Sequence, residues 1–390
     1  LRFLADIRFY KRKGFGLNHE ISNFFKQLAF IASNTTMNLH WRKMVMSKIK
    51  VIMYGVGVVG GLIAKSLLNK EGIEIVGAVD VAENKVGRDL GEVLGLERKL
   101  GKKISESLDA VLSKTKAEIA IHATSSYLKN TYPQISAIVE HGVNVVSTCE
   151  ELSYPYASET KLAKKLDSLA KQHDVTVLGT GINPGFLMDT LVITLTAPCQ
   201  KIDKIEVVRI MNAATRRLPF QRKIGAGLTV EEFKEKIEKK QITGHVGLEQ
   251  SVAMIADALG WKLKKIVAEP VKMVIAEKPV ESSDIKVDEG EVAGLRQTAY
   301  GLMEDREVIV LDFRAYIGAE EEYDAIKIEG VPNIRQKIQP CVHGDMGTVA
   351  MIINAIPKVI NAPAGLLTMK DLPVPSAMLE DACKYIKRQN

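Results

Sequence analysis

Two adjacent carboxylates, Glu150 and Glu151, follow an apolar run in "VNVVSTCEELSYP", residues 143–155. The valine-rich run reads as a buried strand ending at Ser147. An acid just past the carboxyl end of such a strand can accept a proton or stabilise a developing cation in a pocket. Consecutive residues leaving a strand point in roughly opposite directions, so one of the pair should face that pocket. Glu150 lies nearer the strand and is expected there, with Glu151 capping the next helix or facing solvent. A solvated acidic loop is the alternative for both.

A second constellation lies upstream. "VIMYGVGVVGG" sets Gly55, Gly57 and Gly60 in G-x-G-x-x-G spacing, with Val58 and Val59 between them where a strand gives way to a helix. The first glycine permits a tight turn, the second lets the backbone approach a pyrophosphate, and the third lets the helix sit close to the sheet. The helix N-terminus adds free N–H groups and positive potential. Asp80 ends the next strand, "IVGAVD", where a carboxylate accepts hydrogen bonds from adenosine ribose hydroxyls; a plain turn residue is its alternative. Lys85 and Arg88 in "ENKVGRD" can offset that negative charge. NAD is therefore the expected cofactor, with NADP use left open.

Further loops leave the same sheet edge. "HATSS" carries Thr124, Ser125 and Ser126, and "GTGINPGF" carries Asn183, Pro184 and Gly185. With "STCEE" they should converge where a nicotinamide ring lies, since ligands of open parallel sheets bind outside the carboxyl ends of the strands. Ser125 and Ser126 would serve equally as helix caps, and Asn183 as a turn residue.

These residues need a frame to hold them. "KIKVIMYG", "IEIVGAVD", "AEIAIHAT", "VNVVSTC" and "DVTVLGTG" read as five strands alternating with segments of helical period, which indicates an α/β, Rossmann-type doubly wound parallel sheet. After Gly185 the strands lengthen in "KIDKIEVVRI", "KKIVAEPVKMVIAE", "REVIVLDFRAYIG" and "EEYDAIKIEG", with helices "TVEEFKEKIEKK" and "VGLEQSVAMIADALG" between them. That pattern predicts a second, α+β substrate domain with a largely antiparallel sheet. Boundaries are expected at 44–182 for the dinucleotide-binding domain and 183–339 for the substrate domain. Helices in 340–390, "MGTVAMIINAIPKVI" and "PSAMLEDACKYIKR", are expected to return to the first.

The net charge of +6 does not signal nucleic acid, because all of it sits in residues 1–43, with eight Lys/Arg against Asp6 and Glu20. That segment also holds eight of the 22 aromatic residues and precedes Met44 and Met46. It reads as foreign to the fold, with a targeting peptide as the rival reading. No run approaches the roughly 20 apolar residues of a membrane span. Four cysteines without paired spacing fit a reduced, cytoplasmic setting and no metal centre.

Longer ordered stretches carry more information than the glycine motif: "YGVGVVG", "DVAENKVGRDLGEVLG", "VVSTCEELSYP", "GTGINPGFLMD", "RRLPFQRKIGAGLTVEEF", "GHVGLEQS" and "NAPAGLLTMKDLPVP". Through them the chain from about Lys48 onward resembles the amine dehydrogenase and 2,4-diaminopentanoate dehydrogenase family, whose N-terminal half is related to dihydrodipicolinate reductase. The resemblance implies NAD(P)-dependent oxidative deamination of an amine distant from a carboxylate, and for 2,4-diaminopentanoate oxidation at the 4-amino group. It puts a catalytic glutamate within "CEE" without fixing which one. A homodimer taking a small amine or diamino acid is the assembly implied. Partners for the substrate's charged groups are sought among Arg216, Arg217, Arg222, His245 and His343. The Lys-x-Asp-x-Pro-Ser-Gly signature of dihydrodipicolinate reductase itself is missing. A dehydrogenase of simple amines and a non-catalytic NAD-binding sensor are the remaining rivals.

Overall fold

Seven strands, all paired in parallel, form the first sheet of the computed structural model, which describes residues 48–387. They are β1 (Ile49–Tyr54), β2 (Ile73–Val79), β3 (Ile104–Ser105), β4 (Ile119–His122), β5 (Asn144–Ser147), β6 (Thr176–Gly179) and, from far downstream, Gly365–Leu367. Their order places Gly365–Leu367 at one edge, followed by β6, β5, β4, β1, β2 and β3. Chain direction across the sheet therefore reverses between β1 and β4, which opens the crevice where such sheets bind ligands. The segment 1–43, expected to be foreign to the fold, lies outside the described residues.

Burial on both faces explains why the five strands were legible as continuous apolar runs. Val51, Ile52 and Met53 are all inaccessible to solvent. Ile52, Ala120, Val145 and Val177 pack in one cluster with the helices Leu128–Glu140 and Thr160–Gln172, whose buried Leu166 and Ala170 recur at helical spacing. On the opposite face, helix Val58–Leu67 packs against helix Gly344–Ile360, which also touches β4, β5 and β6.

The second sheet contains β7 (Lys201–Asn212), β8 (Lys265–Ala268), β9 (Lys272–Ile275), β12 (Val292–Met303), β13 (Arg306–Tyr316), β14 (Tyr323–Val331) and β15 (Ile334–Ile338). Between β9 and β12, β10 (Val280–Glu281) and β11 (Lys286–Val287) form a separate hairpin. The order β15-β14-β7-β13-β12-β8 is antiparallel except for β7 with β13. Helix Leu248–Ala258 packs on β12 and β13.

Two expected elements come out differently. "KKIVAEPVKMVIAE" is two strands, because Pro270 has no N–H to donate and interrupts the ladder between β8 and β9. "PSAMLEDACKYIKR" is not an α-helix but ends in a single tight turn, Ala382–Tyr385. Pro373 and Pro375 disfavour helix before it, and Ala382 N–H instead bonds Glu71 O. Among the described residues no helix is long and apolar enough to cross a membrane.

Candidate active site

The glycine loop leaves β1 at Gly55, where φ is +91° and a Cβ would lie 2.4 Å from Ala123 O, so only glycine fits. A Cβ on Gly60 would stand 2.1 Å from Gly55 O, which is why helix Val58–Leu67 can sit close to its own strand. Around Gly57 there is open space instead. Gly57 begins that helix with no side-chain cap, so its first N–H groups face outward uncovered. A phosphate bridge fits such a cradle. Asp80 braces it from behind: Oδ2 accepts from Val56 N–H at 2.8 Å and from Lys85 Nζ at 2.9 Å, and Oδ1 from Ala82 N–H at 2.9 Å. Burial pushes the Asp80 pKa upward, but these donors outweigh it and the net shift is down.

Beyond the loop lies a cavity of about 400 Å³ at the carboxyl ends of β1, β4, β5 and β6, closed on its other side by the second sheet. Val58 and Val59 line its near wall with Thr124, Ser125 and Ser126. Thr124 is fixed through its hydroxyl to Gln134 Oε1 at 2.7 Å, which also takes the His122 Nε2 proton at 2.8 Å. Asn183 and Pro184 line the floor; Gly185 does not, and its N–H is bound to Asp189 Oδ2 at 2.8 Å.

The two acids separate here. Glu150 lines the cavity and Glu151 does not. Glu151 Oε2 accepts from Leu128 N–H at 2.7 Å, capping a helix, but the one preceding it in sequence rather than the next. The separation does not come from strand alternation, since β5 has ended and Glu150 has helical backbone angles leading into the tight turn Glu151–Ser153. Neighbours on a three-residue turn diverge by about 120°. Burial lifts the Glu150 pKa above its ordinary 4.5; its own N–H, Lys223 and the Ser126 hydroxyl oppose the rise without cancelling it. Glu151 is raised by burial as well, so placement rather than titration distinguishes the pair.

The far wall is cationic. Arg216, Arg217 and Lys223 line it, while Arg222 does not. The Arg216 guanidinium lies 4.5 Å over the Phe220 ring and 3.1 Å from Asp345. Arg209, missed in the sequence reading, is buried in an ion pair with Asp324 and donates to Val342 O at 2.6 Å. His245 stacks on Phe313 with ring centroids 4.5 Å apart, and its Nε2 accepts from Asn183 Nδ2 at 2.8 Å. That bond leaves the ring proton on Nδ1. Burial, then Lys223 and Arg209, push its pKa down to about 3, so the ring is neutral at physiological pH. His343 lies outside this cavity, at the N-terminus of helix Gly344–Ile360.

Five buried side-chain polar atoms lack a partner among the described residues, and three of them, Thr180 Oγ1, Asn183 Oδ1 and Arg216 Nε, belong to residues of this cavity. Unmet hydrogen-bonding capacity concentrated in one place suits a polar ligand. No cluster of His, Cys, Asp and Glu able to hold a metal ion occurs among the described residues.

Comparison with known proteins identifies the family. Residues 186–388 match the 2,4-diaminopentanoate dehydrogenase C-terminal domain, and residues 49–178 match the N-terminus of dihydrodipicolinate reductase. Over 343 residues the chain is 37% identical to 2,4-diaminopentanoate dehydrogenase of Acetoanaerobium sticklandii, covering 86% of this chain and 96% of that one. The chain belongs to the 2,4-diaminopentanoate dehydrogenase family. A more distant relative, an amine dehydrogenase of Streptomyces virginiae, is 22% identical over 355 residues, covering 85% of this chain and 98% of that one. The solved amine dehydrogenase of Mycobacterium smegmatis superposes with a TM-score of 0.75 at 30% identity, covering 86% of this chain and 98% of that one. As a member of this family, the protein is an NAD(P)-dependent oxidoreductase of the amine dehydrogenase kind.

Proposed function

We propose that the protein oxidatively deaminates 2,4-diaminopentanoate at its 4-amino group, giving 2-amino-4-oxopentanoate, ammonia and NAD(P)H. The observation that carries this reading is the position of Glu150, alone of the acidic pair, in a cavity bounded by the glycine loop on one side and by Arg216 and Lys223 on the other. In this reading residues 44–182 bind the cofactor, residues 183–339 bind the substrate, and the C4 amine meets Glu150 between them.

Glu150 first takes a proton from the C4 ammonium, because only a free nitrogen lone pair can drive hydride from the same carbon. Its raised pKa makes it a stronger base than an exposed glutamate. The C4–H electron pair departs as hydride while the nitrogen lone pair forms the C=N bond of an iminium. NAD(P)⁺ bound on the glycine loop supplies the hydride acceptor. After releasing its proton to solvent, Glu150 stabilises the iminium charge and takes a proton from the water that attacks C4. Nitrogen is then protonated, the C–N bond breaks, and the ketone remains. The balance is ammonium, water and NAD(P)⁺ giving ketone, NH₄⁺, NAD(P)H and H⁺.

Arg216 and Lys223 are assigned the substrate carboxylate, the neutral His245 a supporting donor role through Nδ1–H, and Asn183 Oδ1 the 2-ammonium. A bound carboxylate at the far wall holds C4 near Glu150 and discriminates against simple amines. The test is turnover of 2,4-diaminopentanoate beside ornithine, lysine, alanine and simple amines, each with NAD⁺ and NADP⁺, followed by absorbance of the reduced nicotinamide. Selective oxidation of 2,4-diaminopentanoate is expected. Equal or faster oxidation of amines lacking a carboxylate overturns the substrate assignment.

A further inference from the structure

Asp80 is not a free carboxylate. Three of its roughly four lone-pair positions are taken, by Val56 N–H, Ala82 N–H and Lys85 Nζ. Oδ2 is saturated and Oδ1 keeps one site. The vicinal hydroxyls of an adenosine ribose therefore cannot both be accepted by Asp80 while Lys85 stays in place. The Lys85 ammonium also cancels the charge that would repel a 2′-phosphate, which itself carries about −1.5 to −2 at neutral pH.

Lys85 is placed to do more than neutralise. One of its three N–H donors is used on Asp80. Its side chain is 22% exposed against 9% for Asp80, so Lys85 is the more solvent-accessible member of the pair. Its backbone is fixed by a turn in which Lys85 N–H bonds Ala82 O at 2.8 Å and Arg88 N–H bonds Lys85 O at 3.1 Å. Three residues on, the exposed Arg88 donates from its guanidinium to Asn84 O at 3.0 Å. Val81, directly after Asp80, is 78% exposed and offers an apolar seat for a base.

We propose that Lys85 sets the cofactor selectivity of this site: paired with Asp80 it admits NAD, and turned outward it binds the 2′-phosphate of NADP, with Arg88 as second donor. Lys85, rather than Asp80, is then the residue that admits the phosphate. A static ion pair that contributes nothing to ligand choice is the competing account.

The test measures dissociation constants for NADH and NADPH by calorimetry on the parent, K85M and K85R, without substrate. Replacing the cation by methionine should move the NADPH-to-NADH affinity ratio at least about tenfold toward NADH, the scale of one lost charge-assisted hydrogen bond. K85R keeps the charge and should hold the ratio near the parent value, which separates loss of charge from damage to the turn. The NADPH constant of the parent should weaken more steeply with salt than the NADH constant. A ratio unchanged in K85M, or moved toward NADPH, overturns the proposal. So does a parent that fails to bind NADPH. Neither result touches the role of Glu150 or the substrate assignment, because the assay contains no amine.

Discussion

The deamination mechanism rests on one carboxylate, and the pair Glu150→Gln and Glu151→Gln interrogates it. Glutamine preserves volume and can still bond the Ser126 hydroxyl, so the first change removes basicity and charge alone. General-base contributions of about 10²–10⁴-fold set the expected fall in kcat. The opposite expectation holds for stability. Because the folded-state pKa of Glu150 is raised, its contribution to stability is fully present below the ordinary 4.5 and is lost as pH rises through the folded value. E150Q should therefore melt at a higher temperature than the parent at neutral pH, and the difference should vanish in acid. The Glu151 pKa is raised by burial as well, so the stability profile of E151Q should have the same sign. Its side chain caps helix Leu128–Glu140 outside the cavity, so kcat should stay within a few-fold. Paired measurements of kcat and melting temperature across pH decide the matter. If E150Q keeps more than about a tenth of parental kcat, this loop does not supply the base. If E151Q is as slow as E150Q with its melting temperature unchanged, the assignment within the pair is reversed.

Other expectations follow from the same geometry. Lys223→Met removes a cation that holds the Glu150 pKa down, so the acid limb of the kcat/KM profile should move to higher pH; a shift to lower pH contradicts the electrostatics. Gly60→Ala forces a Cβ to 2.1 Å from Gly55 O and should cost about 1–3 kcal/mol, with loss of NADH binding seen by calorimetry. Arg216→Met should raise KM for 2,4-diaminopentanoate by about 10–100-fold, the equivalent of a charged hydrogen bond, with a smaller effect on kcat; a loss confined to kcat refutes the carboxylate role. His122 is inaccessible to solvent and its pKa is lowered to about 4, so the unfolded chain binds its proton first. Its contribution to stability is present above 6.5 and should decline toward pH 4 by up to about 1.4 kcal/mol per pH unit, a slope that His122→Gln should reduce in denaturant titrations.

Sequence pattern revealed the parallel sheet because its strands are buried on both faces and its glycine loop obeys local rules. It revealed less of the second sheet. β12 carries Gly294 and Gly301 within its span, and the former is glycine because a Cβ there would sit 2.2 Å from Ala315 O, a contact between strands that no local pattern encodes. The edge strand Gly365–Leu367 is three residues long and takes its register from β6, nearly two hundred positions earlier. The same distinction divides the candidate site. Glu150 and Asn183 follow strand ends and were visible as such. Arg209 sits mid-strand in β7, alternating with apolar neighbours, and becomes part of the cavity only because Asp324 and Val342 O meet it from elements more than a hundred residues away. Lys223 was not singled out: it ends the short helix Leu218–Lys223, whose place against the cavity no local pattern encodes.

The chain leaves the parallel sheet after β6 and returns to it with helix Gly344–Ile360, so two lengths of backbone join the lobes. The lobes also meet away from these connections, where helix Leu248–Ala258 packs on the turns Glu151–Ser153 and Pro155–Ala157 and Gln250 Nε2 donates to Ser158 Oγ at 3.1 Å. The connections also form the floor of the cavity, which Gly181–Pro184 lines from one and Gly344–Asp345 from the other. A molecule seated there rests on backbone that both lobes share, so its contacts belong to neither lobe alone.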